Sequence, residues 1–219
     1  MNNPIIQLLV LAGIAIFLIL RLRNVLGTRD GHEEPRQPTA SVTSRNRPEL
    51  EVIEGGPDRD ILDHVPAGSE AFEALSKMKR AEPSFGVSDF LSGARGAYEM
   101  ILMGFERGDL DEIRVFLSDE IAENFEDVIA ARAQQGLTVE AEFVGVRELT
   151  LSSATFDDST SLAEVTVRYT GELTYVVRNS NGEIIEGSET QIKRQKDVWT
   201  YSRQMGADDP NWHLVAIGE

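Results

Sequence analysis

The chain has 219 residues, with 37 Asp and Glu against 21 Lys and Arg, a net charge of −16 and no Cys. Without thiols, disulfides and thiolate metal sites are excluded, and so acidic a surface repels phosphate, which excludes nucleic acid as a partner. The acidity is concentrated: from residue 84 onward 11 Lys/Arg stand against 25 Asp/Glu, a net of −14. Such a charge keeps a folded block soluble and also suits docking of a basic partner.

Residues 4–20 form a 17-residue apolar run broken only by Gln7. At helical rise the run is about 26 Å long, at the short end of what spans a bilayer. Leu22, Val25 and Leu26 extend it if Arg21 and Arg23 snorkel, so residues 1–26 are expected to be an uncleaved transmembrane anchor. No Lys or Arg precedes the run and no small-residue cleavage site follows it, unlike a signal peptide. Arg21, Arg23 and Arg29 follow it, and positive charge stays on the cytoplasmic side, so the domain is expected on the cytoplasmic face of a bacterial inner membrane.

Residues 27–68 carry Gly, Pro, Asp, Arg and Ser without a sustained apolar period and are expected to be a disordered linker with a reach of roughly 35 Å. Residues 69–83 are expected to form an amphipathic arm helix. Ser69 is placed to cap it, and Phe72, Leu75 and Met78 recur at three-residue steps. Lys77, Lys79 and Arg80 sit in its last turn, where cations suit the helix dipole. The stripe has two uses: packing on the domain, or lying on a membrane with the basic residues against anionic lipid. Phe72, Leu75, Lys77, Met78, Lys79 and Arg80 are therefore membrane-contact candidates.

Residues 84–219 form the folded block. Ser88 is expected to cap a helix over residues 89–108, with Phe90, Ala94, Ala97, Ile101, Gly104 and Phe105 on its apolar face. Its small residues, Gly93 and Gly96 among them, permit close approach to a neighbour. Asp109 and Glu112 are spaced as a capping box ahead of Ile113, Phe116 and Leu117. Ser118 opens a third helix ending near Gly136.

After Gly136 the apolar period changes to two. Strands are expected over residues 137–151, 162–177, 182–193, 198–203 and 212–217, with turns at Asp157-Asp158-Ser159, at Asn181-Gly182 and at Asp208-Asp209-Pro210-Asn211. Helices followed by an antiparallel meander give an α+β fold, with helices on one face of the sheet.

The last segment is also the most specific. Asp197-Val198-Trp199-Thr200-Tyr201-Ser202-Arg203, followed by Asp209-Pro210-Asn211-Trp212-His213-Leu214, resembles the C-terminal signature of the Tim44-like domain family, including its bacterial TimA branch. Residues 93–101 resemble the family's first helix. The resemblance implies a curved, cone-shaped fold akin to nuclear-transport-factor-two, enclosing an apolar pocket. It also implies membrane contact through N-terminal helices, and a scaffold for a DnaK-type chaperone at a protein-import channel, as in the mitochondrial relative. The motor-binding region of that relative has no evident counterpart here.

Catalytic patterns are absent from the sequence: no H-E-x-x-H, no serine nucleophile elbow and no Gly-rich phosphate loop. His32, His64 and His213 are far apart by context, so no metal and no cofactor is expected. The carboxylate pairs Asp157-Asp158 and Asp208-Asp209 read as turn chemistry. Tyr169, Tyr175, Trp199 and Tyr201 are candidates to line an apolar binding pocket, with ordinary core as the competing use. The sequence thus points to an inner-membrane-tethered adaptor, binding lipid and a protein client or partner in protein translocation or membrane-protein quality control, and not to an enzyme. Two alternatives differ by a single feature each. A type IV-like secretion subunit would carry the domain in the periplasm. A pocket enzyme of the cone-fold isomerase kind would need an inward acid such as Glu142 or Glu172 beside Tyr98, Tyr169, Tyr175 or Tyr201.

The flanking arginines predict that a reporter fused after Glu219 is active in the cytoplasm. Activity of a periplasm-only reporter at that position would reverse the orientation and favour the secretion alternative.

Overall fold

The computed structural model describes residues 58–218. The expected membrane run and residues 27–57 of the expected linker lie outside the described residues, and among the described residues no helix is long and apolar enough to cross a membrane.

Residues 59–62, inside the stretch expected to be linker, form the short helix α1 (Arg59–Leu62). Asp58 caps it by accepting from the Asp60 N–H at 3.0 Å. The turn is docked because Ile61 and Val65 are buried in the main core. Helix α2 (Glu70–Ala81) follows, with the Ser69 hydroxyl accepting from the Phe72 N–H at 3.1 Å, and packs on the first strand.

Helix α3 (Val87–Arg107) begins two residues before the expected start, after Gly86, and has no side-chain cap of its own. The capping group comes from α1. The Asp60 carboxylate accepts from the Val87 and Ser88 N–H groups at 2.7 and 2.9 Å and from the Ser88 hydroxyl at 2.6 Å. Lys79 of α2 adds an ion pair to Asp60 at 2.7 Å. One carboxylate thus satisfies orphan helix donors and joins three elements. Gly108 ends α3 in the left-handed region, a turn of 3₁₀ helix covers Arg114–Phe116, and α4 (Asp119–Gln134) starts at the Ser118 cap.

The sheet has four antiparallel strands in sequence order: β1 (Thr138–Asp157), β2 (Leu162–Arg178), β3 (Ile184–Gln204) and β4 (His213–Gly218). The separate strands expected over 182–193 and 198–203 are one continuous β3. Its pairing with β2 slips between Ser188 and Lys193, where the Ser188 hydroxyl accepts from the Thr190 and Gln191 N–H groups, so the period-two pattern breaks without the strand ending. Three further irregularities interrupt the pairing of β1 with β2. These bulges accompany a curved sheet whose inner face carries Val165, Val167, Tyr169 and Leu173 of β2 with Trp199 and Tyr201 of β3, all buried.

The outer face is polar. The Thr166 and Thr200 hydroxyls meet at 3.0 Å, and Glu172 pairs with Arg194 at 2.8 Å and Arg147 at 3.5 Å. The close approach expected of Gly93 and Gly96 occurs elsewhere: a Cβ added to either meets nothing within 4 Å, whereas one at Gly171 would come within 2.5 Å of the Tyr98 hydroxyl. Gly171 is the residue that lets α3 settle onto the sheet.

The Asp60 cap predicts a pH-dependent loss. Burial opposes ionisation of Asp60, but hydrogen bonds from Lys79, Ser88 and Val87 outweigh it and hold the carboxyl well below the usual carboxylate range. Because the folded-state value is depressed, the contribution is complete above the unfolded carboxylate value near 4 and is lost as pH falls below it. Asp60→Ala should lower stability at neutral pH by about 1–2 kcal/mol, as for loss of a helix cap, and the gap from wild type should shrink in acid, read by denaturant unfolding of the full chain at several pH values. An unchanged midpoint at pH 7 would show that the cap does not matter.

Candidate functional site

Of the four pocket candidates, three lie together in the core. Tyr98 of α3 is stacked on Tyr169, with ring centroids 4.3 Å apart and planes 11° from parallel. Trp199 sits against both, at 4.8 and 5.8 Å. Tyr201 completes the group through its hydroxyl, 2.9 Å from that of Tyr169, which also reaches the Ala94 carbonyl at 3.2 Å. All four rings are 3% exposed or less, so Tyr98 fills the volume over the inner face that a ligand would otherwise take. Burial, reinforced at Tyr98 by the Asp197 carboxylate, pushes the hydroxyls of Tyr98, Tyr169 and Tyr201 upward in pKa, and they stay neutral. Tyr175 lies apart, half-buried under the Lys193 ammonium at 4.7 Å. Burial and the nearby Glu106 and Glu186 push its hydroxyl up to about 12.

The acid that faces a tyrosine is Asp197, not Glu142 or Glu172. Asp197 accepts from the Tyr98 hydroxyl at 2.5 Å and from Gln195 at 2.8 Å. Glu142 is exposed, and Glu172 is held in the outer-face ion pairs. Neither Tyr98 nor Asp197 lines the cleft beside the N-terminal half of α3, and their bond joins α3 to β3.

An open cleft of about 340 Å³ lies beside this group, at the N-terminal half of α3. Phe85, Phe90 and Trp212 pack against one another as a single aromatic wall, with Trp212 4.7 Å from Phe90 and 5.9 Å from Phe85. Gly93, Ala94 and Ala97 form the floor, Phe116 closes one end, and Tyr201 is the only pocket candidate from the sequence that borders it. The Trp212 wall is held by a bridged cation. Arg203 lies over its ring at 5.5 Å, donates to the Pro210 carbonyl at 3.0 Å and pairs with Glu82. Glu82 also accepts from the Gly206 N–H at 2.9 Å. Arg203, followed by Gly206, keeps the Glu82 carboxyl below its usual range, so the end of α2 fixes the turn that carries Trp212. No short motif marks Phe85, Phe90, Gly93 and Trp212 as one site, since 119 positions separate Gly93 from Trp212 and only the fold brings them together.

The arm candidates are placed in α2. Leu75 and Met78 are fully buried against the domain, and Phe72 is half-buried on the same core. Lys77 pairs with Asp158 at 2.5 Å, and Lys79 pairs with Asp58 and Asp60 at 2.7 Å each. Arg80 is exposed and donates to the Ser76 carbonyl at 3.3 Å. In this conformation the apolar stripe faces the sheet.

Fold and signature together define a small α+β domain of one family: the Tim44-like domain matches residues 71–219, and the chain belongs to that family. Among curated proteins it is similar to the mitochondrial import inner membrane translocase subunit TIM44-1 of Arabidopsis thaliana, at 20% identity over 71% of this chain and 34% of that protein. It is similar also to subunit TIM44 of Homo sapiens, at 22% identity over 72% of this chain and 35% of that protein. The chain thus matches about a third of the length of these relatives. Among solved structures, the intermembrane space region of the chloroplast protein ARC6 aligns with a TM-score of 0.40 and 12% identity, over 58% of this chain and 94% of that one, too distant to carry an argument.

Burial of the arm stripe predicts a stability effect that a membrane-lying helix would not show. Leu75→Ala should destabilise the full chain by about 2–5 kcal/mol, the range for deleting a core leucine, read as a lower midpoint in denaturant. A change under about 0.5 kcal/mol would mean that the stripe is not part of the core in solution.

Proposed function

We propose that this protein is a membrane-tethered adaptor that holds a Tim44-like domain at an inner membrane and engages an apolar segment of a partner or client in the aromatic cleft, without turning it over. The observation that carries this is the cleft itself: an open, preformed concavity walled by Phe85, Phe90 and Trp212, whose size falls within the usual range for ligand sites. Membership of a family whose relatives are import-translocase subunits supports an adaptor role near a membrane. The tether expected from residues 1–57 supplies attachment, and α2, its stripe buried, serves as a domain element. A DnaK-type chaperone is one partner of the kind that the resemblance implies, and the cytoplasmic side is the orientation that the flanking arginines favour.

A photo-crosslinker tests the reading in intact membranes. Placed at Phe85, on the cleft wall, it should capture a discrete protein or lipid species. Placed at Thr200, on the polar outer face, it should not. Equal capture at both positions, or at neither, would refute the cleft as the point of engagement.

A further inference from the structure

Helix α4 is fastened firmly to the body at its first turn only. That turn carries the buried residues of the helix, Ile121 and Ala122, and the Ser118 N–H ahead of it donates to the Leu214 carbonyl of β4 at 2.9 Å. Beyond Ala122 no residue of α4 is buried. Its second half rests on the last turn of α3. Phe125 packs on Phe105 with ring centroids 4.4 Å apart. Arg132 lies over the same Phe105 ring at 4.5 Å and pairs with Glu106 at 3.2 Å.

Glu106 is a poor partner for that clasp. Its side chain is 10% exposed, and the buried oxygen Oε2, although close to the guanidinium, accepts no hydrogen bond among the described residues. It sits in the last turn of α3, where the helix dipole opposes a negative charge. The groups that face it are Arg132 of α4, Lys193 and Glu186 of β3, and Tyr175 of β2. Lys193 is turned onto the Tyr175 ring at 4.7 Å, and Glu186 adds a like charge. Burial outweighs the attraction of Arg132 and Lys193 and pushes the Glu106 carboxyl above its usual range. Desolvation of a buried pair can exceed its Coulombic gain, and here the ionised form is the one that the closed arrangement disfavours.

We propose that Glu106 is a proton-controlled latch on α4: protonated, it lets the second half of the helix close on Phe105, and ionised, it loosens that half while the first turn stays anchored to β4. Because the folded-state value is raised, the closed form has its full advantage below the unfolded carboxylate value of about 4.3 and loses it as pH rises through the folded value. This is the opposite sense to Asp60, whose contribution is lost in acid. Loosening uncovers the rings of Phe105 and Phe125, at the other end of α3 from the cleft.

The test is hydrogen exchange on the full chain in phosphatidylcholine nanodiscs, with wild type compared to Glu106→Gln. Gln is neutral and of the same shape, and comparison at one pH cancels the intrinsic pH dependence of exchange. At about pH 8 the amides of residues 126–135 should exchange roughly tenfold faster in wild type than in the variant, as expected of a local opening favoured by one ionised buried carboxyl. At about pH 4, where Glu106 is protonated, the two proteins should coincide. The amides of residues 122–125, which bond back to the anchored turn, should be equal in both proteins at either pH. Equal or faster exchange of residues 126–135 in Glu106→Gln at the higher pH would mean that the ion pair holds the helix, and would overturn the latch. Slower exchange in the variant by the same factor at both pH values would make the substitution a packing effect and would overturn it as well.

Discussion

The face-to-face contact of Tyr98 with Tyr169, made possible by the bare backbone of Gly171, is the constraint around which the rest of the molecule is arranged. It sets how deeply α3 lies in the sheet, and so which space is filled and which is left open. Each buried aromatic contributes roughly 1.5–3 kcal/mol gross from its removal from water. The hydroxyls that come with these rings are satisfied locally, by Asp197 at Tyr98 and by Ala94 and Tyr201 at Tyr169. Seating the helix there uses the inner face of the sheet as core. The open volume is displaced to the N-terminal half of α3, where Gly93, Ala94 and Ala97 replace bulky residues beside the ring of Trp212 packed on Phe90.

Charge does different work in different places. The exposed pair of Lys77 with Asp158 is worth at most about 1 kcal/mol, as surface ion pairs generally are, so burial of Leu75 and Met78 is what holds α2. Asp60 and Glu82 matter more because each meets backbone donors as well as a cation. Asp60 ties α1 and α2 to the start of α3, and Glu82 ties the end of α2 to the turn before Trp212. The segment from Asp58 to Glu82 is therefore fastened to the start of α3 by Asp60 and to the turn before Trp212 by Glu82, which borders the cleft.

Helix starts with a local cap, at Ser69 and Ser118, were legible because the capping group lies three residues from the donor it serves. The start of α3 was misplaced by two residues because its capping group is Asp60, 27 positions upstream of the Val87 N–H that it accepts. The same distance effect concealed α1: four helical residues have no period to detect, and Ile61 and Val65 acquire their role only when the body is there to receive them. The break expected between residues 193 and 198 falls where β3 pairs with β2 without interruption; the slip that reverses the face of the alternation lies earlier, between Ser188 and Lys193 opposite Thr174, and does not end the strand.

The sequence by itself determined the α+β order, the turns at Asp157, Asn181 and Asp208, the family through its two-tryptophan signature, and the acidity of the folded block. These are local or compositional properties that need no partner in space. Tertiary structure decided what the aromatics do. Alternation put Trp199 and Tyr201 on one face, but whether that face encloses a ligand or a helix depends on the size of the side chain arriving from α3, and Tyr98 fills it. Trp212 is in sequence one residue of the C-terminal signature, and becomes part of a cleft wall only because Phe85, Phe90 and Gly93 meet it from more than a hundred residues away.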